Sequence, residues 1–165
     1  MCIRDSTYPL PEAQRDRFMT RITMGYPSRD SELEMLERHG AHNPLDELYP
    51  VTHGERITEL IDVVGSVYVA DVVKDYLVNI VAATRSHDAV RLGASPRASL
   101  HLIRTARAKA ALAGRDYVIP DDVQAMAIPV LAHRLLPSTR AQLDGISPVD
   151  IVSQILTSTP VPEQA

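Results

Sequence analysis

The sequence has few of the residues that build cross-linked or aromatic-rich folds. It contains one cysteine, Cys2, which excludes an internal disulfide framework and a multi-cysteine metal site. It has no tryptophan, one phenylalanine and six tyrosines among 165 residues, so helices packed through Ala, Leu, Val and Ile are favoured over an aromatic-rich β-sandwich. No apolar run reaches the length of a membrane span, and the N-terminus lacks the apolar stretch of a signal peptide. These absences predict a cytoplasmic protein that does not insert into a membrane.

An excess of positive charge is also missing. The composition, 45% apolar and 23% charged residues, is that of a soluble globular protein, and the formal net charge is −4. A chain of this sign has no general attraction to nucleic acid. The turn at Gly114 between two predicted helices is compatible with a helix-turn-helix motif, but no face rich in Lys and Arg accompanies it. We therefore expect no nucleic-acid partner.

Apolar residues recur with the period of an α-helix through most of the second half of the chain. The predicted long helices run from Val67 to about Arg85–His87, from Ser95 to about Ala113, from Pro120 through Leu131, and from Ser147 or Pro148 to about Leu156. Four helices joined by short loops predict a mainly α fold, a small helical bundle. Earlier in the chain, shorter helices are predicted from Ser31, which would cap its helix, to Arg38 and around Glu55–Val64.

The stretch Phe18–Met24 has a different pattern. A short helix with an acidic start is predicted over Glu12–Arg17, and after it apolar and polar side chains alternate as in a half-buried strand. Gly25-Tyr26-Pro27 would end this strand. A lone strand is not stable without a sheet to join, and no second convincing strand follows it. The missing sheet is the first indication that the chain is a fragment.

The start of the second long helix contains a local conflict. Ser95 is a good N-cap, because its hydroxyl can accept a hydrogen bond from a free N–H group, and Pro96 suits the first helical position. Arg97 follows in the first turn, where the helix dipole disfavours a cation. A bound anion such as phosphate would resolve the conflict. The alternative is an exposed arginine, tolerated at a cost of a few tenths of a kcal/mol. His101 and Arg104 lie on the stripe of Arg97, and for both we predict a solvated face.

The pair His39 and His42 has a spacing that can hold a metal ion. No nearby cysteine or third histidine completes a ligand shell. A solvated loop is therefore favoured, and no metal site is predicted.

Two long stretches resemble a known family. Thr7-Tyr8-Pro9-Leu10-Pro11-Glu12-Ala13-Gln14 with Asp16-Arg17-Phe18 and Gly25-Tyr26-Pro27 resembles the end of the ATPase core in MoxR-type AAA+ proteins. Leu92-Gly93-Ala94-Ser95-Pro96-Arg97-Ala98, followed by Gly114-Arg115-Asp116-Tyr117-Val118 and His133-Arg134-Leu135, resembles their helical lid. The resemblance covers nearly everything from Thr7 to Leu156. It implies a mainly α fold, the lid of an AAA+ ATPase preceded by the last helix and strand of the α/β core.

The resemblance implies roles for two arginines. Arg97 matches the sensor 2 arginine, which reaches from the lid to the nucleotide phosphates, and Ser95 and Pro96 form the helix start that positions it. Arg17 matches the arginine finger, which acts in the neighbouring subunit's site and stabilises charge on the transferred phosphoryl group. The alternative for Arg17 is a salt bridge with Glu12 or Asp16. The family works with ATP as a homo-oligomeric ring, hexameric by resemblance, that remodels or matures client proteins.

The sequence departs from the family in what it lacks. A phosphate-binding loop of the form G-x-x-x-x-G-K-[ST] is absent, and so is an apolar strand that ends in an acidic pair for Mg²⁺. We therefore expect the C-terminal part of an ATPase, inactive alone, whose ATP and Mg²⁺ chemistry belongs to the full-length protein. Arg15 stands where an apolar residue is usual, and Ile119 where a capping Thr is common. The alternative function is a stand-alone helical interaction module without nucleotide chemistry.

These observations predict a division of the chain into five parts. Residues 1–6 are unassigned and treated as foreign to the fold, and residues 7–28 form the end of the ATPase core. Residues 29–66 are helices and loops that connect the core to the lid, residues 67–158 form the helical lid, and residues 159–165 are a loose tail.

Overall fold

A computed structural model describes residues 10–38 and 47–162. The predictions made on Met1–Ser6, on Thr7–Pro9 and on the pair His39 and His42 lie outside the described residues. In chain order, the elements of the described part are α1 (Glu12–Arg15), α2 (Arg29–Arg38), α3 (Gly54–Ser66), α4 (Asp71–Ser86), β1 (Val90–Leu92), α5 (Pro96–Leu112), α6 (Pro120–Leu131), a 3₁₀ turn (Ala132–Arg134), β2 (Leu136–Pro137), α7 (Thr139–Leu143) and α8 (Pro148–Ser158). Contacts divide the chain into two units, one of residues up to Arg21 together with those from Val63 onward, the other of Ile22–Asp62.

The first unit has its core between α4, α5, α6 and α8. Helix α5 packs against both α4 and α6, and its alanines Ala98, Ala106 and Ala110 are completely buried there. Small side chains at these positions let the neighbouring helices approach closely. Larger side chains fill the remaining space, among them Tyr76, Ile80, Leu102, Leu131 and Ile151. The predicted bundle of four long helices is confirmed.

The helices of this unit end where local signals place them. Gly114 follows α5 with a φ of +74°, so it supplies the left-handed residue that ends the helix as predicted. Pro120 and Pro148 occupy the first turns of α6 and α8. Before α8, the Ser147 hydroxyl accepts from the Asp150 N–H at 3.2 Å, and the Asp150 carboxylate accepts from the Ser147 N–H at 2.9 Å. This reciprocal pair is a capping box.

Two short strands were not predicted. Strands β1 and β2 pair antiparallel, with Val90 opposite Pro137 and Leu92 opposite Leu136. They are three and two residues long, which is too short for alternation to be visible in the sequence. The pair ties the loop before α5 to the chain that follows α6.

The predicted strand over Phe18–Met24 is wrong in this structure. The segment forms no strand, and the side chains of Phe18, Ile22 and Met24 are exposed. The Arg21 N–H donates a backbone hydrogen bond to the Pro129 carbonyl at 2.9 Å, but this single bond does not make a strand. An alternating pattern needs a neighbouring strand before it can become a strand, and no strand of the described residues pairs with this segment.

The unit of Ile22–Asp62 contains α2 and most of α3. Helix α2 begins at Arg29, two residues before the predicted start, and the Ser28 hydroxyl accepts from the Ser31 N–H at 3.2 Å. Ser28 rather than Ser31 is thus the capping serine, which corrects the prediction. The helix predicted around Glu55–Val64 is confirmed as α3. No helix within residues 10–38 and 47–162 combines the length and the hydropathy that crossing a membrane requires.

Candidate functional site

The loop that leads into α5 is fixed to the end of α4. A Cβ atom at Gly93 would lie 2.6 Å from the Thr84 carbonyl oxygen and 2.7 Å from the Arg85 Cα, so only glycine fits without a shift of backbone. The Ala94 N–H donates to the buried Thr84 hydroxyl at 3.0 Å, and Arg85 Nε donates to the Ala94 carbonyl at 2.8 Å. These contacts set where the following residues, including Arg97, stand on the bundle.

Ser95 is the N-cap residue of α5, but its side chain does not cap the helix. Its backbone is extended and Pro96 takes the first helical position, both as predicted. The hydroxyl instead donates to the Asp16 carboxylate, at 3.0 Å and 2.9 Å from its two oxygens. The predicted cap bond is wrong, because the Ser95 side chain makes no cap hydrogen bond to α5 and its described bonds go to a residue far away in sequence.

Arg97 lies in the first turn of α5 beside the same carboxylate. Its Nη1 is 3.5 Å from the Asp16 Oδ2, and its side chain is 48% exposed. The negative charge of Asp16 offsets the conflict between a cation and the positive end of the helix dipole. Much of the guanidinium remains open to a second anion.

Arg134 holds Asp16 from the opposite side and is buried, with a side chain only 1% exposed. Its Nη1 donates to both the main-chain oxygen and the Oδ1 of Asp16, each at 3.1 Å. Its Nη2 donates to the Phe18 carbonyl, and its Nε donates to the Val130 carbonyl at 2.7 Å. A buried guanidinium is tolerated only when charge and hydrogen bonds satisfy it. Burial lowers the pKa of Arg134, while the charge of Asp16 acts in the opposite direction.

Two histidines complete the surroundings of Arg134. His101 is buried, so the predicted solvated position is wrong; Arg104 is exposed as predicted. The Arg134 Nη2 lies 2.7 Å from the His101 Nδ1. Because a guanidinium only donates, this Nδ1 accepts and the imidazole is neutral. Burial, followed by the charge of Arg134, lowers the pKa of His101. The His133 Nε2 is 3.1 Å from the Phe18 carbonyl, and burial lowers the pKa of His133 too.

Arg17 is exposed, and it lies within the segment that Arg134 holds. The salt bridge considered from sequence does not form, because Glu12 pairs with Arg91 at 3.7 Å and Asp16 pairs with Arg97 and Arg134. Among the described residues, no carboxylate makes an ion pair with Arg17. Its backbone neighbours on both sides, Asp16 and Phe18, accept bonds from Arg134, so its position follows that of the bundle.

The structure therefore brings Ser95 and Arg97 together around Asp16 and leaves Arg17 projecting beside them. Sequence reasoning missed Asp16 as the centre of this cluster, and it missed Arg134 as a site residue. Both lie inside the stretches that resemble the family, Asp16-Arg17-Phe18 and His133-Arg134-Leu135, which is the signal that would have found them.

A second pair fixes the start of α6. The Arg115 guanidinium donates to both oxygens of the buried Asp122 carboxylate at 2.7 Å, and the Ile119 N–H donates to it at 3.0 Å. Burial raises the pKa of Asp122, but these hydrogen bonds outweigh it and leave the pKa below its usual value. The carboxylate caps the helix that an Ile at the N-cap position cannot cap.

Comparisons with known proteins identify what the chain is similar to. Residues 82–155 match the AAA lid domain family. The chain is 44% identical to the Bacillus subtilis protein YeaC over 97% of its own length and 50% of YeaC. It is 38% identical to the Mycobacterium tuberculosis chaperone MoxR1, over 96% of its own length and 44% of MoxR1. It is 30% identical to the Paracoccus denitrificans protein MoxR, over 96% of its own length and 53% of that protein.

A solved structure gives the same result for the fold. The crystal structure of a candidate ATPase from Cytophaga hutchinsonii superposes with a TM-score of 0.85 at 32% identity, covering 94% of this chain and 50% of that one. The chain thus spans about half the length of the relatives that it matches.

Proposed function

The chain belongs to the MoxR-type AAA+ proteins, and from this we propose that it forms the C-terminal part of an ATP-hydrolysing machine, the end of an ATPase core followed by its helical lid. The whole protein binds ATP, assembles as a homo-oligomeric ring of six subunits in the cytoplasm, and couples hydrolysis to the remodelling or maturation of client proteins. The name chaperone carried by MoxR1 supports the last step.

The observation that carries this proposal is the position of Arg97. It stands in the first turn of α5, on a loop fixed by Gly93, with a half-exposed guanidinium and one carboxylate beside it. A cation at a helix N-terminus, next to free N–H groups, suits a phosphate. Arg97 binds the nucleotide phosphates of its own subunit and closes the lid on them.

Arg17 acts on the next subunit. Its side chain is exposed and pairs with no described carboxylate, so it is available at the surface. Arg134 donates to the main-chain carbonyls of Asp16 and Phe18, on either side of Arg17, and this restricts the range of positions open to the Arg17 guanidinium. In the ring it stabilises the charge that develops on the neighbour's transferred phosphoryl group.

The residues described here do not supply the Mg²⁺ site of the proposed ATPase. In the part of the chain that the structure describes, no group of three or more His, Cys, Asp or Glu is arranged to hold a metal ion. We propose that the metal ligands and the phosphate-binding loop of the whole protein lie outside this chain, which spans about half the length of its relatives.

The experiment that tests the proposal compares Arg97→Ala with Arg104→Ala in the full-length protein. A charge-assisted hydrogen bond is worth about 1.5–3 kcal/mol, so Arg97→Ala should lower nucleotide affinity or turnover about 10- to 100-fold. Arg104 lies two turns further along α5 and is exposed, so its removal should change both far less. Equal effects would indicate general surface charge and not a phosphate contact.

A further inference from the structure

Three donors converge on the Asp16 carboxylate, and they are not equivalent. The Ser95 hydroxyl and the Arg134 Nη1 lie within 3.1 Å of it and make hydrogen bonds. The Arg97 Nη1 is further away, at 3.5 Å, and makes an ion pair without a hydrogen bond. The Arg134 side chain is buried, whereas Arg97 is about half exposed. Arg97 is therefore the partner that can leave without disturbing the other two.

We propose that Asp16 is an intramolecular competitor of nucleotide for Arg97. The inference rests on the proposed function, because it takes Arg97 as the residue that reaches the phosphates. Without nucleotide, Arg97 rests against Asp16; when a triphosphate binds, the guanidinium exchanges one anionic partner for another. The free energy that Arg97 contributes to nucleotide binding is then only the difference between its interaction with phosphate and its interaction with Asp16. Asp16 therefore weakens nucleotide affinity, and it sets the resting position of the sensor arginine.

Asp16 itself stays in place during this exchange. Ser95 continues to donate to its carboxylate, and Arg134 continues to supply both a charge and hydrogen bonds. The partly buried carboxylate thus keeps a charged partner throughout, so little opposes the release of Arg97. The exposed side of Arg97 gives a phosphate access to the guanidinium before the ion pair with Asp16 is lost.

The test measures binding of ATPγS with Mg²⁺ to the full-length protein by calorimetry. Asp16→Asn keeps the shape of the side chain and removes its charge, and it should bind ATPγS about two- to fivefold more tightly, since a partly exposed ion pair is modest in strength. Glu12→Gln is the matched control, because it removes one nearby charge that faces Arg91 and not Arg97. Glu12→Gln should leave the affinity unchanged.

The double variant Asp16→Asn/Arg97→Ala separates competition from other effects. If Asp16 acts through Arg97, the gain from Asp16→Asn should disappear once Arg97 is an alanine. A gain that persists without Arg97, or no gain in a folded Asp16→Asn protein, overturns the inference. If Arg97→Ala alone leaves ATPγS affinity unchanged, the proposed function fails first, so the two failures are distinct.

A structure of the wild-type protein with ATPγS bound provides the second measurement, should Asp16→Asn fail to fold. Arg97 should then contact a phosphate and lie beyond ion-pair distance from Asp16, while Ser95 and Arg134 keep their bonds to the carboxylate. An Asp16–Arg97 pair that persists with nucleotide bound overturns the inference.

Discussion

The Arg134 Nη1 lies 3.1 Å from both the main-chain oxygen and the Oδ1 of Asp16, a residue 118 positions earlier in the chain. One guanidinium thus fixes the backbone and the side chain of the same residue. Because Arg134 is buried and Asp16 precedes Arg17, the bond couples the proposed finger to the core of the bundle. It also leaves the rest of the Asp16 carboxylate free to face Ser95 and Arg97.

The first prediction concerns Arg17 in the full-length ring. An arginine finger contributes about 10³-fold or more to turnover, so Arg17→Ala should nearly abolish ATP hydrolysis. Nucleotide binding should survive, because the finger serves the transition state. Mixing these subunits with subunits that lack the phosphate-loop lysine should restore activity, since some interfaces then combine an intact loop with an intact Arg17.

The control for this mixing experiment is ring formation by the mixture, checked by native mass spectrometry. If mixed rings form and no hydrolysis returns, Arg17 acts on its own subunit's nucleotide or has only a structural role.

The second prediction concerns residues 1–165 on their own. The sequence lacks the loop that holds the β- and γ-phosphates, so the purified segment should hydrolyse ATP at the background rate. A coupled-enzyme phosphate assay measures this. Turnover above background that Arg97→Ala removes would contradict the prediction, whereas turnover insensitive to Arg97 would indicate a contaminant.

The third prediction concerns pH and follows from the neutral state of His101. Burial lowers its folded-state pKa below the ordinary value of 6.5, so below pH 6.5 the unfolded chain binds more protons than the folded one. The stability that the neutral imidazole contributes is therefore complete above pH 6.5 and decreases as the pH falls toward the folded-state pKa. One such group changes the free energy of unfolding by at most about 1.4 kcal/mol per pH unit.

Urea unfolding of residues 1–165 between pH 7.5 and about 5 measures this slope. His101→Gln should reduce the slope without removing it, because the pKa of His133 is lowered in the same direction. The exposed His53 is the control, and His53→Gln should leave the slope unchanged. An identical slope for wild type and His101→Gln would show that His101 is not held neutral by the fold.

The fourth prediction concerns Gly93. A Cβ there meets backbone atoms of Thr84 and Arg85, which cannot move aside like a flexible side chain, so Gly93→Ala should cost about 1–3 kcal/mol. Gly65→Ala is the control, because apart from the adjacent residues and the nearby backbone of its own helix no described atom lies within 4 Å of the position that its Cβ would take, and alanine favours a helix. Thermal unfolding should separate the two, with a lower midpoint for Gly93→Ala only. Equal midpoints would mean that the loop before α5 is not tightly fitted.

Local signals in the sequence determined the helices of this protein and most of their ends. Gly114 ends α5, and Ser147 caps α8 through its bond with Asp150, because each acts within one turn of its own chain position. The alanines and branched side chains of the bundle follow the helical period. The resemblance to a family directed attention to Arg97 and Arg17, although it named no side chain of this chain as a partner of either.

Tertiary structure decided which partner each polar side chain takes. Ser95 precedes a proline at the first helical position as Ser147 does, but Ala98 stands where Asp150 completes the capping box of α8. The Ser95 hydroxyl donates to Asp16, 79 residues away, and its side chain does not cap α5. His101 lies on a stripe that the sequence predicts to be solvated, yet it is buried, with the Arg134 Nη2 2.7 Å from its Nδ1. Hydrogen bonds to charged groups are stronger than neutral ones, and only packing brings such a group within reach of a residue far away in sequence. Sequence periodicity describes only the neighbours within a helix, so it cannot show which distant carboxylate or guanidinium the fold places beside them.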